Sequence, residues 1–246
     1  MPLLQLEHVS KKFGQVVVAD DINFELEEGE AVGIVGPNGA GKTSLFGIIS
    51  GDVRLYGGQI HFVGQALERM HPSVRCRSGI GRTYQVPRPF ENMTVFENTL
   101  VGSQQGAVLR GRKSHEAAFS ALERTGLSSL ANRAAGSLTL MQRKRLELAR
   151  ALATQPRLLL LDEIAGGLTD LEVTELTGII RSINAEGVTI LWIEHVVRAL
   201  LSTVDRLLCL ASGALVADGE PRAVLASEAV RRVYLGDRIL NEAMDS

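Results

Sequence analysis

The feature that most constrains the fold of this chain is a glycine-rich run at residues 36–43. It reads Gly-Pro-Asn-Gly-Ala-Gly-Lys-Thr and satisfies the pattern G-x-x-x-x-G-K-[ST]. The apolar run Ala31–Val35 precedes it and is typical of a strand buried in a parallel sheet. A helical pattern follows over Lys42–Ser50, with Gly51 as its C-terminal stop. A chance match in a glycine-rich turn would lack this strand–loop–helix context, so we predict a phosphate-binding loop in an α/β domain.

Each part of this loop has a chemical reason. Glycines allow backbone N–H groups to turn inward around phosphate oxygens, and the N-terminus of the following helix adds positive potential. Lys42 supplies a positive charge for the β and γ phosphates of a nucleotide, Thr43 a hydroxyl for Mg²⁺, and Ser44 a contact to the α phosphate. The predicted nucleotide-binding residues of the loop are Gly36, Pro37, Asn38, Gly39, Ala40, Gly41, Lys42, Thr43 and Ser44.

A second run places two carboxylates at the end of an apolar strand. Four leucines at residues 158–161 are followed by Asp162 and Glu163. If this strand neighbours Ala31–Val35 in a parallel sheet, both carboxylates lie beside the phosphate-binding loop. Asp162 would then hold Mg²⁺, directly or through water, and Glu163 would act as general base toward the attacking water. Taken alone, such a strand is more often a buried strand reaching solvent, and its pairing with the loop favours the catalytic interpretation.

The rest of the chain predicts one sheet-centred domain with two additions. Residues 3–9 and Val16–Leu26 carry β-formers separated by turn residues, which indicates an N-terminal antiparallel sheet. Residues 87–150 are rich in Ala, Leu and Arg at helical spacing and are interpreted as a helical insertion. Strands then resume, and residues 171–185 form the helix of a βαβ unit. The predicted strands of this last part are residues 157–161, 188–193, 206–210 and 214–216.

Within the helical insertion, two helix starts have sequence signals. We expect Ser114 to cap a helix that runs to Thr125. Thr139 and Gln142 match a capping box at the start of a second helix. Residues 106–113 are expected to form a mobile loop.

Composition limits the classes of function. The formal net charge of −2 over 246 residues gives no sign of a nucleic-acid-binding protein. Cys76 and Cys209 follow no metal-binding or redox spacing, which favours a reducing compartment. No run approaches the roughly 18 uninterrupted apolar residues that span a bilayer, so membrane association would require a partner.

Two features bear on which nucleotide is bound. The guanine-reading motif Asn-Lys-x-Asp is absent from the sequence. Phe13 precedes Gly14 in an early turn, where an aromatic ring could stack on adenine. A phenylalanine there could equally belong to the core, and the residues alone leave both interpretations open.

The order of these motifs resembles the ABC ATPase family, and the match covers nearly the whole chain. The order is Phe13, the loop at residues 36–43, Gln85, a signature region near residues 138–142, Asp162-Glu163 and His195. The resemblance implies a RecA-like P-loop NTPase core with an antiparallel β subdomain and an inserted helical subdomain. Residues 1–246 would form a single ABC ATPase domain, in which residues 1–86 and 151–246 supply the core and the antiparallel sheet and residues 87–150 supply the helical subdomain.

The resemblance also implies ATP and Mg²⁺ as cofactors and a set of site residues. Glu163, His195 and Gln85 would be catalytic, whereas Thr43, Gln85 and Asp162 would surround the metal. Gln85 would link the metal site to a transmembrane partner, and His195 would contact the γ phosphate. From the residues alone, His195 is also compatible with an ordinary histidine at the end of a strand.

Several stretches resemble the LivG-like ATPases of branched-chain amino acid uptake. Residues 79–85 read Gly-Ile-Gly-Arg-Thr-Tyr-Gln and, with residues 90–98, are close to the Gln-loop segment of that group. Residues 145–150 and the terminal run at 233–236 also fit. The resemblance implies an importer subunit on the cytoplasmic face of the plasma (inner) membrane. Its partners would be two transmembrane permease subunits, a second ABC ATPase subunit and, indirectly, an extracytoplasmic solute-binding protein, with no nucleic acid.

The signature region departs from the family pattern Leu-Ser-Gly-Gly-Gln. This chain has Leu138, Thr139, Leu140, Met141 and Gln142. Thr139 keeps the hydroxyl that would meet the γ phosphate bound by a partner subunit. Met141 replaces the second glycine, and its side chain is expected to crowd that phosphate. Because a homodimer would carry this defect in both sites, we expect a heterodimer with one competent and one impaired site.

Two other functions compete with the importer. A soluble ABC ATPase acting on nucleic acid or ribosomes would usually carry two cassettes or long coiled-coil or basic insertions, which this sequence lacks. A regulatory subunit that binds ATP with little turnover is disfavoured by Glu163 and His195 but favoured by Met141.

Overall fold

The computed structural model describes residues 1–234. Residues 235 and 236 of the terminal run noted above therefore lie outside the described residues. The strands are β1 (Leu4–Phe13), β2 (Val16–Leu26), β3 (Ala31–Val35), β4 (Gly57–Phe62), β5 (Gln65–Ala66), β6 (Ile80–Arg82), β7 (Leu158–Asp162), β8 (Thr189–Ile193), β9 (Arg206–Ala211) and β10 (Ala214–Gly219). The helices are α1 (Lys42–Ser50), α2 (Pro72–Arg77), α3 (Val95–Val101), α4 (Gly111–Arg124), α5 (Leu140–Leu152), α6 (Asp170–Ala185), α7 (Val197–Leu201), α8 (Pro221–Ala226) and α9 (Glu228–Tyr234).

A six-stranded sheet with the order β10-β9-β3-β8-β7-β6 forms the centre of the fold. Its strands pair in parallel except for β9 with β10, which are antiparallel. Every residue of β3, β7 and β8 is buried, because both faces of the sheet are covered. Leu158 and Leu160 pack in one core, whereas Leu159 and Leu161 pack in another on the opposite face.

A second, antiparallel sheet has the order β2-β1-β4-β5. Its inward side chains and those of α1 share one core with the parallel sheet. On the other face of the parallel sheet, α6 contributes Val173, Leu176, Ile180 and Ile183 to the second core. The spacing of these four residues places them on one stripe of the helix.

The helical insertion, α3 to α5, has a third core of its own that includes Val95, Leu122 and Leu146. A buried amide fixes the chain that enters it. The Asn98 side chain accepts a hydrogen bond from the Phe90 N–H at 2.8 Å and donates to the Phe90 and Thr94 carbonyls at 3.0 and 2.9 Å. These bonds satisfy backbone groups of the segment between the sheet and α3.

The predicted cap at Ser114 is wrong. Helix α4 begins at Gly111, which has φ +54, so Ser114 lies inside its first turn and is buried. The Ser114 hydroxyl donates to the Gly111 carbonyl at 2.8 Å, and the Ser114 carbonyl accepts from Ser103 at 2.9 Å. This tertiary contact extends the helix beyond its sequence signal.

The mobile loop predicted over residues 106–113 is also wrong. Gly106 ends a π-helical turn, Gly102–Gly106, and α4 already occupies residues 111–113. In the short connection between them, the Leu109 N–H donates to the Ser103 carbonyl at 3.0 Å. The irregular part is therefore residues 107–110, and it is hydrogen-bonded.

The other predictions for the fold are largely confirmed. The antiparallel N-terminal strands, the buried strand β3, the βαβ unit and the Thr139 capping box are present. The sequence analysis did not predict several short elements, which are β4, β5, β6, α2, α3, α7, α8 and α9. Helix α5 continues to Leu152, so the predicted boundary at residue 150 falls inside a helix, and the subdomain division remains a prediction. In residues 1–234, no helix has the length and apolar character needed to cross a membrane.

Candidate functional site

The glycine-rich loop at residues 36–43 connects β3 to α1, as predicted. A Cβ on Gly36, at φ +155, would lie 2.1 Å from the Leu210 carbonyl oxygen. A Cβ on Gly41, at φ +101, would lie 2.0 Å from the Val18 carbonyl oxygen. The loop is thus held between β9 of the parallel sheet and β2 of the antiparallel sheet, and only glycine fits at either contact.

Lys42 is buried at the start of α1. Its ammonium donates to the carbonyls of Gly36 and Pro37 at 2.7 and 3.0 Å, so the side chain folds back over the loop. Burial lowers the pKa of Lys42, while the negative charges of Glu163 and Asp162 act in the opposite direction. A cation held by two loop carbonyls and facing these carboxylates can bind phosphate oxygens.

Asp162 ends β7 and approaches the same helix. Its Oδ1 lies 3.5 Å from the Thr43 hydroxyl, and its Oδ2 accepts from Arg82 at 3.1 Å. Burial raises the pKa of Asp162, and the hydrogen bond from Arg82 opposes that rise. The hydroxyl and the carboxylate are hard oxygen donors of the kind that Mg²⁺ prefers.

Strands β3 and β7 are not adjacent in the sheet, as the sequence analysis had expected them to be. Strand β8 lies between β3 and β7, pairing with both. Asp162 nevertheless reaches the Thr43 hydroxyl, because Thr43 lies on α1 and this helix contacts β7. The intervening strand itself leads into Glu194 and His195, which brings a third segment to the site.

Glu163, His195 and Gln85 form one hydrogen-bonded group. Glu163 Oε1 lies 2.7 Å from His195 Nε2, and Glu163 Oε2 accepts from Gln85 Nε2 at 2.5 Å. The structure therefore places Gln85 against Glu163. A carboxylate in contact with an imidazole and an amide is equipped to accept a proton from water.

Two buried ionic residues behind this group were missed by the sequence analysis. The Lys144 ammonium donates to the Gln85 and Glu163 carbonyls at 2.8 and 3.4 Å. The Glu194 carboxylate accepts from the N–H groups of Ala165 and His195 at 2.9 and 2.8 Å. The available signal was position alone, since Glu194 immediately precedes His195, and a charged residue at the end of a buried strand requires partners.

Phe13 lies at the tip of the β1–β2 hairpin and is about half exposed. This exposure excludes the core interpretation. The same hairpin contacts the glycine-rich loop through Val18, and the Lys11 ammonium lies 4.7 Å from the Phe13 ring centroid. A half-exposed ring on this hairpin is available for stacking.

The signature region lies at the N-terminus of α5. Leu138 is buried, Thr139 is the N-cap, and Gln142 completes the capping box, with its side chain accepting from the Thr139 N–H at 3.1 Å. The Met141 side chain is only 6% exposed and packs in the core, so the expected projection toward a partner's phosphate is wrong. The helical phase turns Met141 inward and leaves Leu140, which was not singled out, 46% exposed beside Gly167.

A cavity of about 390 Å³ lies between the parallel sheet and the helical insertion. Tyr84, next to Gln85, is part of its lining and is about half exposed. Exposed apolar side chains continue the surface at Val86 and Phe90. The cavity is also lined by Ser50, Asp52, Arg82, Glu147 and Arg150.

Comparison with known sequences identifies relatives that align over nearly the whole length of the chain. The sequence model of the family described as "ABC transporter" matches residues 19–166. The chain is 35% identical to the high-affinity branched-chain amino acid transport ATP-binding protein BraF of Pseudomonas aeruginosa, and 36% identical to LivG of Escherichia coli, which carries the same description. Each alignment covers 96% of this chain and 98% of the relative. The lipopolysaccharide export system ATP-binding protein LptB of Haemophilus influenzae is 32% identical over 97% of this chain and 99% of its own length.

Solved structures agree with these relatives. A nucleotide-free ATP-binding cassette from an ABC transporter superposes with a TM-score of 0.88 at 30% identity, covering 96% of this chain and 100% of the other. The ADP conformation of an ATP-binding cassette of an ABC transporter gives the same values. The α/β cassette fold is thereby confirmed.

The contact between Gly41 and Val18 generates a prediction. Gly41→Ala should displace the loop and lower ATP affinity by more than about 10-fold, which corresponds to about 1.4 kcal/mol. The matched control is Gly187→Ala, because Gly187 also has positive φ, +94, but its Cβ would meet open space. That variant should lose only about 1 kcal/mol of stability and keep its ATP affinity. Calorimetric titration with ATP and thermal unfolding measure both, and near-normal ATP binding by Gly41→Ala would contradict the steric argument.

Proposed function

The chain belongs to the ABC transporter family and is an ATPase of that family, and from this premise we propose that it drives the import of branched-chain or related amino acids through separate permease subunits. The solute assignment follows the names of the relatives BraF and LivG. The observation that carries the catalytic part is the convergence of Lys42, the Asp162–Glu163 pair and His195 at one sheet edge.

We assign the nucleotide contacts as follows. The backbone of the glycine-rich loop and the Lys42 ammonium bind the phosphates, Ser44 contacts the α phosphate, and the Phe13 ring stacks on adenine. Thr43 and Asp162, with Gln85 at the edge of the site, would hold Mg²⁺. This ion, when bound, would neutralise phosphate charge.

Glu163 is the proposed general base, and His195 contacts the γ phosphate. Both carboxylate oxygens of Glu163 are hydrogen-bonded, one to His195 and one to Gln85. To accept a proton from the attacking water, Glu163 must exchange one of these bonds for the water. Gln85 leads directly into the exposed residues beside the cavity, so release of its amide is the exchange that a docked partner could control.

The cavity and its apolar margin support docking of permease subunits. A permease would bury Tyr84, Val86 and Phe90, which are exposed in the isolated chain. Two such subunits would hold the ATPase on the cytoplasmic face of the membrane, and an extracytoplasmic binding protein would deliver the solute to them.

The signature region supports pairing with a second, different ATPase. Thr139 retains its hydroxyl, but the exposed Leu140 side chain lies where the family has a first glycine. An apolar side chain at this helix N-terminus covers N–H groups that would otherwise bind a partner's phosphate. The site completed by this α5 is then weakened, whereas a partner's signature can complete the site on this chain's own loop.

Replacing the proposed base tests the catalytic assignment. Glu163→Gln should retain ATP binding and lower turnover at this chain's site by at least about 100-fold, since an amide cannot accept the proton. The exposed Glu116→Gln provides a control that should change neither quantity. Steady-state phosphate release and nucleotide binding in the assembled complex separate the two effects. Undiminished turnover would remove Glu163 from this role.

The partners are tested by isolating the tagged chain from its native membranes in mild detergent. Two hydrophobic permeases and a second ATPase should copurify, as identified by mass spectrometry. Recovery of ribosomal or DNA-binding proteins without any membrane subunit would instead favour a soluble ABC ATPase. A complex with permeases that shows no turnover even in the wild type would favour the regulatory alternative.

The weakened site is tested with Leu140→Gly in the assembled complex. Removing the exposed side chain should raise turnover at the partner's site severalfold, roughly 1 kcal/mol in activation free energy, and leave this chain's own site unchanged. Each site is measured alone by disabling the general base of the other. The matched control is Phe119→Ala, which removes an exposed apolar side chain from a different helix, α4. If the Leu140→Gly and wild-type complexes had equal turnover at the partner's site, Leu140 would not weaken that site, and the argument for a heterodimer would be wrong.

A further inference from the structure

Arg82 connects the cavity to the proposed metal carboxylate. It ends β6, the edge strand that pairs with β7, and its side chain is only 10% exposed. One guanidinium nitrogen, Nη2, donates to Asp162 Oδ2 at 3.1 Å. The other, Nη1, donates to the Ser50 hydroxyl at 2.9 Å and to Asp52 Oδ2 at 3.0 Å. The guanidinium therefore bridges two carboxylates.

The two oxygens of Asp162 have different partners. Oδ1 faces the Thr43 hydroxyl, whereas Oδ2 is bonded to Arg82. Within residues 1–234, Arg82 is the one side chain that donates to Oδ2. Without that bond, the carboxylate could rotate about its last torsion, and the orientation of Oδ1 toward Thr43 would be lost.

The position of Arg82 is itself constrained from the cavity side. Its guanidinium lies 5.0 Å from the ring centroid of Tyr84 and 5.9 Å from that of Phe46. Tyr84 lines the cavity and is about half exposed, while Phe46 is fully buried in α1. A fork-shaped cation with two carboxylate partners and two aromatic neighbours has little freedom to reorient.

We propose that Arg82 is a positioning residue for magnesium: it holds Oδ2 of Asp162 and so presents Oδ1, beside Thr43, to the ion that accompanies ATP. The inference rests on the proposed function, because it requires that Asp162 and Thr43 hold this metal. Asp52 acts as the anchor that keeps Arg82 in place. The assignment concerns the orientation of a metal-binding carboxylate, in the way that outer groups orient ligands in metal sites generally.

A purely electrostatic role for Arg82 predicts the opposite change in Mg²⁺ binding. A guanidinium near a metal site repels a divalent cation, so a competing role for Arg82 would mean that its removal strengthens Mg²⁺ binding. A positioning role means that its removal weakens Mg²⁺ binding. The sign of the change therefore decides between them.

The experiment is a Mg²⁺ titration of ATP binding to the purified full-length chain, with parallel measurements in EDTA. Arg82→Gln should raise the half-saturating Mg²⁺ concentration about 10-fold or more, while ATP affinity in EDTA stays within about twofold. Asp52→Asn should shift the Mg²⁺ requirement in the same direction by a smaller factor, and Arg82→Lys should give an intermediate value. Arg157→Gln, which removes an exposed arginine paired with Glu28, is the matched control and should behave as wild type.

The outcomes distinguish a failure of the positioning role of Arg82 from a failure of its premise, that Thr43 and Asp162 hold Mg²⁺. An unchanged or lowered Mg²⁺ requirement in Arg82→Gln overturns the positioning role. A wild-type chain that binds ATP without any Mg²⁺ dependence overturns the metal assignment of Thr43 and Asp162, and the inference with it. If Arg82→Gln does not fold, as judged by circular dichroism, Asp52→Asn and Arg82→Lys decide the question, and wild-type Mg²⁺ requirements in both would overturn it.

Discussion

The register of three parallel strands determines the geometry of the site. Ile193 of β8 pairs with Ile34 of β3 on one side and with Asp162 of β7 on the other. The three strands therefore end at one level, and the segments that follow them emerge at the same edge of the sheet. If β7 slipped by one residue, each of its side chains, Asp162 and the four leucines alike, would move to the other face of the sheet. Because those leucines fill two separate cores, packing opposes the slip. The packing of the hydrophobic cores therefore also fixes the position of Asp162 in the site.

Charges buried at this edge are each matched by local partners. Glu194 accepts backbone N–H groups from the segments after β7 and β8, and Lys144 donates to carbonyls on the Gln85 and Glu163 segments. Leaving one buried charge unpaired would cost about 3–5 kcal/mol. These bonds therefore hold three separate segments in a fixed relation. Lys144 lies on α5, the helix that Thr139 caps, so the signature region and the proposed base belong to the same connected unit.

The sequence predicts the site best where the signal is local. The glycine-rich loop, Asp162, Glu163 and His195 each follow a buried apolar strand, and the structure brings them together. The order of the strands could not be read, because the placement of β8 between β3 and β7 depends on packing. Strand β6 is three residues long and shows no periodicity, so Arg82 had no signal beyond its nearness to Gln85. The inward turn of Met141 likewise depends on how α5 packs against the core, which the signature pattern does not encode.

The backbone at Glu163 explains how two consecutive carboxylates serve one site. In an extended strand, neighbouring side chains point to opposite faces of the sheet. Glu163 has φ +48, a left-handed conformation that costs a non-glycine residue about 1–2 kcal/mol. Its N–H donates to the Ile193 carbonyl at 2.8 Å, which holds the kink at the end of β7. Asp162 thus stays buried in the strand beside Thr43, whereas the Glu163 side chain points away from the strand and contacts His195 and Gln85. The strained residue separates the carboxylate proposed to face the metal from the one proposed to act on water.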